Sequence, residues 1–124
     1  MSYTINRMFN DSSFDDIGAR TQSALADHGF GILTEIDVKT TMKKMLDVEM
    51  PSHSILGACN PKMACSATGI EPRVGAMLPC NVILREVEVS AVDLVASMQA
   101  IENADLTAVA GEIRYLLAKT VEAI

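Results

Sequence analysis

Leu106, Val109, Ile113, Leu116, Leu117, Thr120, Val121 and Ile124 recur at three- and four-residue steps and constrain this chain most. The spacing predicts one amphipathic helix over about residues 105 to 123. Asn103 or Asp105 is placed to cap its first turn. Such a helix needs an apolar surface to cover it. A sheet within the chain is the first expectation, and a dimer seam is the second.

Strand-like segments are spread along the rest. Tyr3 to Met8 reads as a strand. Phe30 to Ile36 reads as another, with Phe30, Ile32 and Ile36 on one face at period two. His53 to Cys59 is a third. Gly75 to Glu86 is the longest, with Leu78, Cys80, Val82 and Leu84 on one face and Ile83 and Val87 on the other. Val87 to Val92 continues after a reversal near Arg85–Glu88.

Helical signals alternate with these strands. Phe14, Ile17, Thr21, Leu25 and His28 form a stripe, Asn10, Asp11, Ser12 and Ser13 offer N-caps, and Gly29 offers a stop. Asp37 caps a second helix from Val38 to about Leu46, before Met50-Pro51 ends that element. Pro61 opens a short helix to about Thr68, broken by Gly69 and Pro72. Asp93 to Ala100 reads as a helical segment. The order lacks the regular strand–helix–strand rhythm of a parallel sheet. The expected fold is α+β: a mainly antiparallel sheet with helices packed on one face and a long C-terminal helix. At 124 residues it is read as one domain, 1–124.

Composition narrows the function classes. The net charge is −6, with no cationic stripe, so nucleic acid and anionic membrane surfaces are not expected partners. Lys39, Lys43 and Lys44 form the one basic cluster, read as a solvated helix face. No run approaches the length of a membrane span. The first residues lack the apolar run of a signal peptide. Three cysteines in that context predict reduced thiols in the cytoplasm. The aromatic fraction is 4 %, so the core is mostly aliphatic, and eight methionines suit irregular packing or a soft interface.

Two short blocks carry the chemistry on offer: Gly57-Ala58-Cys59-Asn60-Pro61 and Leu78-Pro79-Cys80-Asn81. Proline constrains the backbone beside each cysteine, and asparagine suits turns. Cys59 stands two residues before the expected helix start, where backbone N–H groups favour a thiolate. Cys80 stands on an apolar strand face, where a cysteine packs as a small hydrophobe. Cys65 does not pair with either in a CxxC or zinc-knuckle spacing. His53 shares a strand side with Ile55 and Cys59, and His28 ends the first helix. Glu35 with Asp37, and Lys62 with Arg73, are weaker pairs. No nucleotide-binding, metalloprotease or hydrolase motif is present.

At these blocks the sequence resembles a known family. Gly29-Phe30-Gly31-Ile32-Leu33-Thr34-Glu35-Ile36-Asp37-Val38, Ile55 to Ala64, and Gly75 to Val82 are similar to three blocks of the domain-of-unknown-function family 302. The resemblance implies a compact antiparallel α+β fold and a homodimer, and it implies no established activity. Cys65, and Leu94 where a proline would be expected, depart from it. Six residues carry over as candidate binding residues: Cys59, Asn60, Pro61, Pro79, Cys80 and Asn81. Catalytic residues and cofactors stay unassigned, and no metal ligand is named. Three readings remain open. One is a module binding a small ligand or soft metal, or acting through thiol redox, at the two corners. Another is a structural or interaction homodimer with architectural cysteines. The last is an enzyme using Cys59 with His28 or His53 as base.

Overall fold

The structure, a computed structural model, describes residues 2–10, 12–86 and 88–124. Asp11, one of the cap candidates, and Val87, expected to open the last strand, lie outside the described residues. Strands β1 (Thr4–Met8), β2 (Gly31–Asp37), β3 (His53–Cys59), β4 (Cys80–Arg85) and β5 (Glu88–Val92) form one sheet in the order β1-β5-β4-β3-β2. Every pairing is antiparallel.

Among the described residues five α-helices accompany the sheet: α1 (Phe14–Asp27), α2 (Val38–Leu46), α3 (Pro61–Ile70), α4 (Leu94–Ser97) and α5 (Ala104–Ala123). Each begins on a side chain that accepts a backbone N–H of the first turn, and Asp93 plays that part for α4. Ser13 caps α1, Asp37 caps α2, Asn60 caps α3 and Asn103 caps α5. Thr40 N–H and then the Thr40 hydroxyl hold the Asp37 carboxyl below its usual range. His28 closes α1, and Gly29 follows at φ 86°, a left-handed conformation that glycine adopts without penalty.

The core lies between one sheet face and helices α1 and α5. Leu56, Val82, Leu84, Val89 and Ala91 come from the sheet and are buried. Leu106, Ala110, Ile113, Leu117, Thr120 and Val121 come from α5. The α5 stripe is therefore covered inside the chain, against α1, α3, α4, β1 and β5. That removes it as a dimer seam. Its end is pinned by Arg7, whose guanidinium donates to the carbonyls of Val121 at 3.1 Å, Glu122 at 2.8 Å and Ile124 at 2.9 Å. Arg7 and Arg20 both stack over the Phe9 ring, at 4.9 and 5.3 Å.

Several local expectations change. In β2 the register shifts between Ile32 and Thr34. A strand alternates faces only while its ladder is regular. Ile32, opposite Ala58, therefore lies on the core side with Phe30, whereas Ile36, opposite Ile55, lies on the other face. Gly69 does not break α3; it sits inside the last turn. Residues Pro72–Met77 form a 3-10 helix instead of opening β4. Pro79 has no N–H to give a ladder, so pairing starts at Cys80. The segment after Asp93 is helical only from Leu94 to Ser97.

Candidate functional site

The sheet register brings the two Cys-Asn blocks together. At one end of the β3–β4 ladder, Ala58 pairs with Cys80 and Gly57 with Asn81. Cys59 is the next residue along β3 and pairs with Gly31 on its other side. The end of β3 and the start of β4 thus form a single corner, flanked by the start of β2.

Each predicted residue has a distinct part in it. Asn60 leaves the sheet and caps α3, its Oδ1 accepting the Met63 N–H at 3.2 Å. Pro61 occupies the first turn of α3, where its missing N–H costs nothing. Pro79 follows a cis peptide from Leu78. Its ring packs over Gly57, where an added Cβ would lie 2.9 Å from Pro79 Cγ and against Thr34 Oγ1. Asn81 is exposed.

The two cysteines have opposite surroundings. Strand alternation puts Cys80 on the core side with Val82 and Leu84, 3 % exposed. Burial, and next the neighbouring Cys59, push its thiol up to about 11. Removing a proton there leaves an anion among apolar groups, which the interior resists. Cys59 falls on the other parity, with Gly57, Ile55 and His53, and is half-buried. All three cysteines are free thiols, with Cys65 exposed on α3.

His53 is not assembled with the thiols. His53 begins β3 and Cys59 ends it, a separation of about 20 Å at strand rise. His28 Nδ1 meets the Ala24 carbonyl at 2.8 Å. The simplest nucleophile–base pair from β3 therefore fails. Glu35 and Asp37 do share the core side of β2, but Asp37 is committed to its cap. Lys62 and Arg73 are exposed.

Among the described residues, no group of three or more His, Cys, Asp or Glu side chains is placed to hold a metal ion. An open cleft of about 510 Å³ lies at the opposite end of β3, lined by Met8, Met50, His53, Arg85 and Glu88 among others. A mostly apolar groove of about 430 Å³ lies between Met63 of α3 and Tyr115 and Leu116 of α5. Neither is lined by Cys59 or Cys80.

Sequence reasoning missed two supporting residues. Gly57 makes room for Pro79 and Thr34, and Gly29 makes room for Asn60, whose Nδ2 would lie 3.2 Å from an added Cβ. A lone glycine inside a strand was the available signal for the first.

No described helix is long and apolar enough to cross a membrane. Among curated proteins, none matches this chain. The crystal structure of an uncharacterized conserved protein DUF302 from Bacillus stearothermophilus superimposes with a TM-score of 0.92. It covers 99 % of this chain and 98 % of its own at 18 % identity, a likeness of fold. The family model of the domain of unknown function DUF302 matches residues 6–124. With nearly the whole sequence matched, this chain belongs to the DUF302 family.

Proposed function

We propose that this chain is a small cytoplasmic thiol module whose working group is Cys59, with Cys80 as a buried thiol kept protonated behind it. The reading rests on the asymmetry of one corner. Two cysteines meet at one end of the β3–β4 ladder, yet one is half-buried and the other sealed in the core. Asn60 and Pro61 fix where Cys59 stands relative to the start of α3. Of the chemistries first weighed, reversible oxidation fits better than a soft metal, because among the described residues no group of three His, Cys, Asp or Glu side chains is placed to hold one. A general-base enzyme fits less well, given where His53 lies.

In the oxidation step, the Cys59 thiolate attacks one oxygen of a hydroperoxide. An S–O bond forms as the O–O bond breaks, and the leaving oxygen takes up a proton. Sulfur is oxidised to a sulfenic acid and the peroxide is reduced. Titration with hydrogen peroxide, read by mass spectrometry of cysteine peptides, tests this. The expected result is one oxygen added at Cys59, reversed by a thiol reductant, absent in Cys59→Ser and retained in Cys80→Ser. Oxidation confined to exposed Cys65 would sink the reading.

The second reading treats both corners as architecture. It is favoured by the fit of Pro79 over Gly57 and of Asn60 over Gly29. Under it, Cys59→Ser would leave every chemical property but bulk stability unchanged.

A further inference from the structure

The sheet register lines up four side chains at one rim of the sheet. Met8 pairs with Glu88, Glu88 with Arg85, and Arg85 with His53. Each stands at an end of its strand: the last residue of β1, the first of β5, the last of β4 and the first of β3. Cross-strand partners project from the same face. Leu84 and Val89, the strand neighbours of Arg85 and Glu88, are buried in the core. The row therefore lies on the face away from the core. The segment leading into β3, with Met50 and Pro51, walls the row and completes the open cleft of about 510 Å³. That volume lies within the range of small-molecule sites, about 300–1,000 Å³.

The row changes character from strand to strand, at a pitch of about 4.8 Å. It runs apolar, acidic, basic, imidazole. Its guanidinium is also uncommitted. Arg7 donates to the carbonyls at the end of α5, Arg20 to Ser12 and the Ile124 carbonyl, and Arg114 to Asp93. Among the described residues Arg85 has only the Glu88 carboxylate, at 3.6 Å, beyond hydrogen-bond reach. Such a surface pair contributes little, so a ligand can take its place at small cost.

We propose that this cleft binds a small zwitterion of the α-amino acid class with an apolar side chain. The charge balance selects that class. Glu86 and Glu88 both line the cleft, against one guanidinium and one imidazole. A simple anion would face two carboxylates, and a simple cation would face the guanidinium. The ammonium and carboxylate of an α-amino acid flank a single carbon, and so match an acid and a base on adjacent strands. The Arg85 guanidinium takes the carboxylate in a bidentate pair, with the His53 ring beside it. The Glu88 carboxylate takes the ammonium. Met8, 58 % exposed, and Met50 offer adaptable apolar surface to the side chain. The site stands at the opposite end of β3 from Cys59, and the proposal does not depend on thiol chemistry.

Amide-shift NMR titration of the nitrogen-labelled full chain tests it, with three probes that share one apolar body. These are L-leucine, isocaproate, which lacks the ammonium, and isoamylamine, which lacks the carboxylate. The expected result is saturable leucine shifts at the Met8, His53, Arg85 and Glu88 amides. Both analogues should bind about tenfold more weakly or worse, the order of one lost charge-assisted hydrogen bond. Arg85→Gln and Glu88→Gln should each weaken leucine binding by the same order. Their spectra should show both variants folded, since the pair they break lies at the surface. Arg73→Gln removes the same charge from the exposed part of the 3-10 helix and should leave binding unchanged. No saturable shift up to the solubility limit of leucine would overturn the proposal. So would equal binding of the three probes, undiminished binding in Arg85→Gln, or an equal loss in Arg73→Gln.

Discussion

Pro79 closes over Gly57, so tightly that a Cβ on Gly57 would come within 2.9 Å of the proline Cγ. The two residues belong to different Cys-Asn blocks, and their contact is what turns two local motifs into one corner. The Cβ would also press on Thr34, which belongs to β2. Three strands thus meet at one glycine.

Gly57→Ala should therefore destabilise the fold by about 1–3 kcal/mol, the usual cost of overpacking a filled site. Thr34 can rotate away, but the Pro79 ring cannot, so the strain falls on the start of β4. Urea unfolding checks the value. A neutral substitution would mean that the corner is looser than its geometry indicates.

Asp93 offers a pH-dependent prediction. It accepts from Arg114 Nε at 2.8 Å and from the Ala96 N–H at 3.1 Å, tying the start of α4 to α5. Burial pushes its carboxyl upward, but the Arg114 hydrogen bond and the backbone N–H of Ala96 outweigh that and leave it lowered from 3.8. A lowered carboxyl stabilises the fold above the unfolded value, and that stabilisation is lost as pH falls through the folded value. Asp93→Asn keeps a capping oxygen and removes the charge. It should cost about 1–2 kcal/mol near neutral pH. The gap between wild type and variant should close well below pH 3.8. An equal gap at acid and neutral pH in chemical denaturation would contradict this assignment.

The legible parts of this fold were those with a local physical cause. The α5 stripe, the Asn103 cap and the Asp37 cap follow from side chains within one turn of where they act. The site was legible as two blocks, because Pro61 and Pro79 mark chain reversals in any context. Their meeting was not, since it depends on the register of β3 against β4, fifty-eight opposite eighty. The bulge after Ile32 was invisible for the same reason: Leu33 looks like any strand residue until its partner is known. The apolar run through Gly75–Leu78 was misread because hydrophobicity alone does not separate a strand from a tight helical turn.

The central claim is that the corner holds one available thiol and one withheld thiol. Alkylation of the folded protein, followed separately at Cys59, Cys65 and Cys80 across pH, tests it most directly. Cys65 is the exposed reference. The account predicts that Cys59 labels in the folded state on the timescale of Cys65. Cys80 should label only as the protein unfolds, until pH approaches about 11. Cys59 labelling only together with Cys80, on unfolding, would contradict it and leave both corners architectural.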